Sequence, residues 1–295
     1  MTKALVLSGG GSVGIAWEIG VAVGLARRGV DLRTADFIVG TSAGSAVGAQ
    51  LALGRDLDHV AGRYQIAGRR VTDTPAESGG PSSQQMARLI ELVEATMTGE
   101  GPAELRRAAA GKFALAADAM PEDAYVAMFR YLKGEPWPAR FACPAVDALS
   151  GEFVLWDSQA GVDLDRAVAS SCAVPGLFAP ITIKGRRYID GGFRSPINAD
   201  LATGHDRVLI VSVLSAARTA DPVDSRPSPG RQLDDEVAAL TASGSVVAVL
   251  AVDDAGARAM GGNMMDPSAG RTAVDAGIRQ GEAEADRLAE FWPAT

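Results

Sequence analysis

Along this chain short apolar runs alternate with longer stretches in which apolar residues recur at helical spacing. Lys3 to Leu7 is the first run, and it predicts a strand that ends in a glycine loop, Gly9 to Gly14. Ile15, Ile19, Ala22, Val23 and Ala26 then share one helical face, which predicts a helix over 15–28 closed by Gly29. Phe37 to Gly40 reads as a second strand and Thr41 to Leu53 as a helix of small residues, so Ser42 falls at a strand-to-helix turn. A polar loop over Thr72 to Gly80 precedes three amphipathic helices at 84–97, 104–118 and 122–133. Phe141 to Ala148 and Phe153 to Trp156 flank Ser150-Gly151 as a hairpin, and a helix covers 164–169. Ile181 to Lys184 and Arg187 to Ile189 flank Gly185 as another hairpin, which runs into Asp190-Gly191-Gly192. Val208 to Leu214 and Val246 to Val252 are continuously apolar, as central parallel strands are, and a Pro/Ser/Asp loop over Thr219 to Pro229 lies between them. This alternation predicts an α/β fold, a three-layer α/β/α sandwich on a mostly parallel sheet. Residues 3–295 are expected to form one domain, with the helices of about 64–138 as an inserted cap.

Composition narrows the function classes. The chain has 295 residues, enough to bury roughly three quarters of its unfolded surface without a disulfide or metal staple. With 28 Lys+Arg against 36 Asp+Glu the net charge is −8, which offers no footprint for nucleic acid, whose binding draws on cations neutralising phosphates. Two cysteines, Cys143 and Cys172, and two histidines, His59 and His205, cannot build a Cys-rich zinc site, so no metal is expected and both cysteines read as buried free thiols. The apolar stretch before the first glycines is too short for a signal peptide, and the longest apolar runs are strand-sized. A cytoplasmic protein with at most transient contact with a membrane surface is expected.

Two glycine-bearing segments carry candidate chemistry. Gly40-Thr41-Ser42-Ala43-Gly44 is G-x-S-x-G, in which a tight turn exposes a serine hydroxyl at the end of a strand and glycines remove side chains that would clash. The turn puts Ser42 at a helix N-terminus, where free N–H groups and the dipole favour developing negative charge. A plain helix N-cap is the competing reading of the same serine. The loop Gly9-Gly10-Gly11-Ser12-Val13-Gly14 also matches the dinucleotide pattern G-x-G-x-x-G. That pattern wants an acidic residue at the end of the second strand, and here Asp36 precedes the strand instead. An oxyanion loop made of Gly9, Gly10, Gly11, Ser12 and Gly14 therefore outweighs a nucleotide cradle, although a nucleotide-binding or interaction module stays open.

A nucleophilic serine needs a base within hydrogen-bond reach. The order Ser42, Asp190, His205 would suit a Ser-His-Asp esterase, yet His205 sits in a polar turn and His59 in a helical surface stretch. Asp190 ends a hairpin strand before two glycines, a place where a carboxylate can be held against another strand end and act on a serine directly. An ordinary turn aspartate is the alternative.

Taken together, Gly9 to Gly14, Gly40 to Gly44, the A-S-x-x-x-P-type segment Ala169 to Pro175, and Asp190-Gly191-Gly192 resemble, in that order, the patatin-like phospholipases or lipid acyl hydrolases. The resemblance runs from about Lys3 to Leu214, and the Gly261 to Gly281 segment is similar to the tail of bacterial members. It implies a Ser-Asp dyad of Ser42 and Asp190, oxyanion N–H groups from Gly10, Gly11 and Ser12, an acyl-enzyme, a lipid or small ester as substrate, and no cofactor. One position departs: members often carry Arg before the last glycine of the first loop, where this chain has Val13, with Arg186, Arg187 and Arg194 as candidate stand-ins.

Overall fold

The computed structural model describes residues 1–72, 80–214 and 229–293, so the loops expected over 72–80 and 219–229 fall almost wholly outside the described residues. In chain order the elements begin with β1 (Lys3–Leu7), α1 (Gly11–Arg27), β2 (Phe37–Gly40), α2 (Ala43–Ala52) and α3 (Leu57–Thr72). Next come α4 (Ser83–Thr98), α5 (Ala103–Ala116), α6 (Glu122–Val126), β3 (Phe141–Asp147), β4 (Phe153–Trp156), α7 (Leu164–Ser171), β5 (Ile181–Ile183) and β6 (Arg186–Asp190). The chain ends with β7 (Arg207–Ser212), α8 (Pro229–Ala242), β8 (Val246–Ala251), α9 (Asp254–Met260) and α10 (Gly270–Phe291).

All eight strands join one mixed sheet, in the order β5-β6-β3-β2-β1-β7-β8, with β4 paired to β3. The strands from β3 to β8 on this path through β1 run parallel, while β4, β5 and β6 are antiparallel hairpin strands. β1 lies at the middle and every one of its residues is buried, which is why its sequence is continuously apolar after Lys3. Even Lys3 is held: its ammonium donates to Thr34 Oγ1 and Pro293 O.

Alternate residues of each strand serve different layers. Leu5, Leu7, Ile38, Leu209 and Val211 pack with α1, α2 and α10, whereas Ala4, Val6, Val39, Val208 and Ile210 face Leu233 and Leu240 of α8 and the Ile197–Ala202 turn. Toward β6, Ala110 and Ala114 of α5 cover Val146 and Ile189, with Leu89, Leu92 and Val93 of α4 behind them. Tyr125, Phe129 and Leu132 join the first core. Helices of the 64–138 segment thus complete both outer layers, and of their large apolar residues Ile90, Leu105, Leu115 and Met128 are exposed.

Two boundaries differ most from the sequence reading, and one is that the helix expected over 122–133 is α-helical only to Val126 and continues as a 3-10 helix over Ala127–Leu132. The other is that α1 starts at Gly11, not Ile15, so the second half of the glycine loop is already helical. Gly11 has φ +60° and turns the chain into the helix, a conformation that glycine adopts without strain. α1 is buried on nearly every side because it lies between the sheet and α10. That approach depends on four glycines. A Cβ on Gly20 or Gly24 would run into the carbonyls of Val274 and Ile278, and one on Gly277 or Gly281 into those of Trp17 and Val21. Gly277→Val should therefore force the helices apart and lower the unfolding free energy by about 1 to 3 kcal/mol, the usual cost of overpacking. A urea midpoint equal to that of the unaltered protein would refute this account of the interface.

Among the described residues no helix is long and apolar enough to cross a membrane, and Cys143 and Cys172 are buried and free, as expected.

Candidate active site

The register of the sheet brings the candidate residues to one edge. Leu7 pairs with Gly40, so the loops leaving β1 and β2 emerge side by side at the carboxyl ends of neighbouring parallel strands. On the other side of β2, Val39 pairs with Ala142, and three residues further along β3 Ala145 pairs with Asp190. Asp190 thereby sits at the height of Ser42.

Ser42 occupies a tight turn with φ 51° and ψ −115°, a left-handed conformation that costs a non-glycine residue of order 1–3 kcal/mol. The flanking glycines make the turn feasible. A Cβ on Gly40 would collide with the carbonyl of Gly44, and one on Gly44 with that of Leu7. Thr41 and Gly44 donate their amides to Leu7 O and Ser8 O at 3.0 Å each, which ties the elbow to the end of β1. Ser42 makes no capping hydrogen bond to α2, so the N-cap reading of its side chain does not hold.

Asp190 is buried, and burial pushes its carboxyl up to about 7, against the opposing pull of the neighbouring Ser42 hydroxyl and of the Gly192 amide. The Gly192 amide donates to Asp190 Oδ1 at 2.7 Å, and Gly191 approaches Pro144 so closely that a Cβ there would meet its carbonyl. Both glycines of the D-G-G turn are thus required by lack of room, since a Cβ on Gly192 would lie 2.9 Å from Asp190 Oδ1.

Residues from two further segments hold this pair. The segment after α7 braces both partners: Ser171 Oγ accepts the Ser42 amide at 3.2 Å, the Cys172 thiol donates to Ser42 O at 3.0 Å, and Ala173 O accepts the Asp190 amide at 3.0 Å. Burial pushes the Cys172 thiol well up, which keeps it a donor at neutral pH. The A-S-x-x-x-P pattern marked this segment, and the structure gives the pattern its physical content. A second tie is Asn198, fully buried at φ 56°, whose Nδ2 donates to Thr41 Oγ1 at 3.0 Å and to Gly191 O at 3.4 Å. Ser195 supports it by accepting the Asn198 amide at 2.9 Å while its own hydroxyl is bonded to Glu236.

The glycine loop closes the third side. A Cβ on Gly9 would lie 3.6 Å from Ser42 Cβ, so this loop and the elbow are in contact. Two of the five loop residues expected to donate to an oxyanion have their amides engaged: Gly9 N–H goes to Pro196 O at 2.7 Å and Gly14 N–H to Gly10 O at 2.8 Å. Gly14 is the fourth residue of α1, and its bond to Gly10 O is the first that runs back along the helix. Among the described residues the amides of Gly10 and Gly11 donate no hydrogen bond, and they precede or open the helix at its positive end. Ser12 follows them, with its hydroxyl 3.4 Å from Met264 O.

Several other sequence candidates lie elsewhere. His205 precedes β7 at the end of the sheet opposite Ser42, with Nδ1 2.9 Å from Ala202 O and its ring stacked on Phe37. His59 is an exposed residue of α3. A triad through either histidine is therefore corrected by the topology. The three candidate stand-ins for a loop arginine are all engaged: Arg186 pairs with Asp147 and Glu152, Arg187 donates to Pro180 O, and Arg194 pairs with Asp200 and lies over the Phe153 ring. Val13 itself is buried in the core, and its amide donates to Met264 O at 3.1 Å. Among the described residues no cluster of His, Cys, Asp and Glu could hold a metal ion.

Two mycobacterial relatives, the uncharacterized NTE family proteins Rv1063c of Mycobacterium tuberculosis H37Rv and Mb1092c of Mycobacterium bovis, are each 28% identical over 230 residues, 76% of this chain. The chain spans about half the length of these curated relatives, 52% of each. Among solved structures, VipD from Legionella pneumophila aligns with a TM-score of 0.47 at 17% identity, over 97% of this chain and 67% of VipD. The type III effector ExoU aligns with a TM-score of 0.42 at 18% identity, over 97% of this chain and 53% of ExoU. The model of the patatin-like phospholipase family matches residues 5–203, which include the glycine loop, the elbow, the brace and the D-G-G turn, and the chain belongs to that family.

Proposed function

We propose that this protein is a serine lipid acyl hydrolase that cleaves carboxylic esters through an acyl-enzyme, with Ser42 as nucleophile and Asp190 as its base. The observation that carries the reading is the placement of the buried Asp190 carboxyl beside Ser42, where burial raises its pKa to about 7, near the working pH of a general base. Ionised Asp190 takes the proton of Ser42 as Oγ attacks the ester carbonyl. The tetrahedral oxyanion is met by the Gly10 and Gly11 amides, with the positive ends of α1 and α2 converging beside it. Protonated Asp190 then returns the proton to the leaving alcohol, and water, deprotonated by the same carboxylate, releases the acid. No step in this scheme draws on a metal or cofactor, and the reading is of a cytoplasmic enzyme with at most transient contact with a membrane surface.

Within the lipid esters, neutral and monomeric substrates are favoured over packed anionic phospholipid. Val13 stands where a loop cation would meet a phosphate, the three nearby arginines are engaged, and a net charge of −8 opposes docking on an anionic surface. A fluorophosphonate should label Ser42 stoichiometrically, and p-nitrophenyl esters should turn over faster than phosphatidylglycerol vesicles at matched acyl concentration. Absence of labelling at Ser42 would remove the hydrolase reading. Faster hydrolysis of the vesicles would leave the dyad in place and overturn the substrate ranking.

A further inference from the structure

Between α9 and α10 the chain crosses the glycine loop as a short strap, Gly261 to Asp266, which the family match to residues 5–203 does not include. The strap is bonded to the loop through its backbone. Met264 O accepts the Val13 amide at 3.1 Å and lies 3.4 Å from Ser12 Oγ, so the strap draws one first-turn amide of α1 away from the site. Its side chains complete the contact. A Cβ on Gly11 would lie 2.5 Å from Met264 O and 2.7 Å from Met265 Sδ, so the strap's carbonyl and thioether together occupy the space that a side chain would need there. A Cβ on Gly14 would lie 3.9 Å from the Met264 methyl and 3.6 Å from Ala43 Cβ, so the strap and the residue after Ser42 border the same glycine. Val213 borders the same loop, 2.8 Å from where a Gly10 side chain would start. Met264 and Met265 are both partly exposed.

An ester carbonyl whose oxygen rests on the Gly10 and Gly11 amides must carry its acyl substituent within a few ångströms of this wall. The side chains of this wall are apolar, and methionine, with three rotatable bonds and a polarizable sulfur, fills irregular apolar space and yields to a ligand. We propose that Met265, backed by Met264 and Val213, forms the acyl-chain wall of the site and sets the preferred chain length. The inference rests on the hydrolase reading given above, and it names residues for which the sequence offered no chemical signature.

The test compares p-nitrophenyl butyrate with p-nitrophenyl decanoate, which share a leaving group and differ only in acyl length. Met265→Ala should raise the decanoate-to-butyrate ratio of kcat/KM by about tenfold, within the range that a change of a few methylene-sized groups gives in an apolar pocket. Met265→Phe should lower the ratio, and Met265→Leu should leave it within about threefold of the unaltered protein, which shows that the effect follows volume. Fluorophosphonate labelling of Ser42 in each variant reports separately on the dyad and on folding. Full labelling with an unchanged ratio in both Met265→Ala and Met265→Phe would overturn the acyl wall while leaving the hydrolase intact. A shift that appears only when the alcohol is varied, with butyrate held fixed, would also overturn it, since the strap would then line the leaving-group side. If the unaltered protein is not labelled at Ser42, both readings fall together, and that outcome is distinct from the other two.

Discussion

Ser42→Ala should reduce ester hydrolysis by at least roughly a thousandfold while leaving the folded protein intact. Losing a covalent nucleophile costs several orders of magnitude in comparable hydrolases, because neither the oxyanion donors nor the bound substrate can replace the bond it forms. The fold should persist because the backbone of the elbow is held by other groups: Ser171 Oγ on the Ser42 amide, and Ser45 Oγ and Cys172 Sγ on its carbonyl, at 3.2, 2.7 and 3.0 Å. The left-handed φ of 51° adds a companion outcome. Ser42→Gly should be equally inactive and melt at a higher temperature than Ser42→Ala, since glycine alone accepts that conformation without strain. Initial rates on p-nitrophenyl butyrate and thermal melts of the three proteins decide the matter. Residual activity above about a hundredth would show that another group attacks the ester, and equal melting points for the alanine and glycine variants would show that the elbow stores no strain.

Those glycines also explain why the site was legible in the sequence. G-x-S-x-G is visible because Gly40 and Gly44 face carbonyl oxygens that exclude any Cβ, and a steric requirement of that kind fixes residue identity. The same holds for the D-G-G turn, where Gly191 meets Pro144. The central strands were legible for a different reason. Burial on both faces demands unbroken apolar runs, and only five to seven residues of such a run fit across the sheet.

What the sequence concealed depends on contacts between distant segments. Gly9 and Gly14 look like Gly10 and Gly11 as letters, yet the Gly9 amide is taken by Pro196, and nothing near Gly9 in the sequence announces that partner. The start of α1 at Gly11 was missed because three glycines in a row argue against helix, while burial between the sheet and α10 overrides that propensity. α10 itself escaped notice. Its contact face is built on Gly277 and Gly281, which local propensity reads as breaks and which the packing against Gly20 and Gly24 requires. Ser171, Cys172 and Asn198 act through backbone atoms of the elbow, and a role of that kind leaves no periodic pattern to read.

The rate of the unaltered enzyme should rise with pH through about 7 and then level off, and Asp190→Asn should remove both the rise and nearly all of the activity. Asp190 can accept the Ser42 proton only when ionised, and burial holds its pKa at about 7, so kcat/KM should follow the ionised fraction. The same shift ties the base to stability, with a definite sign. An aspartate in the unfolded chain titrates at about 4, so between about 4 and 7 the folded protein keeps a proton that the unfolded chain has released. Stability from this group is therefore complete below about pH 4 and is lost as pH rises through 7. A shift of about three units at about 1.4 kcal/mol each sets an upper bound of roughly 4 kcal/mol. Asparagine is neutral at every pH and retains an oxygen to accept the Gly192 amide that Asp190 Oδ1 now accepts. Asp190→Asn should accordingly match the unaltered protein in urea melts at pH 4 and exceed its stability at pH 8.5, while falling nearly as far in activity as Ser42→Ala, since residues that act as a unit do not add. His205→Ala, altered at the far end of the sheet, should stay within about tenfold of the unaltered rate. A flat pH–rate profile between 5 and 9 would show that Asp190 is not the titrating base. Equal stabilities of the two proteins at pH 8.5 would show that its carboxylate is solvated in the folded state, and with that the buried dyad would be lost as an explanation.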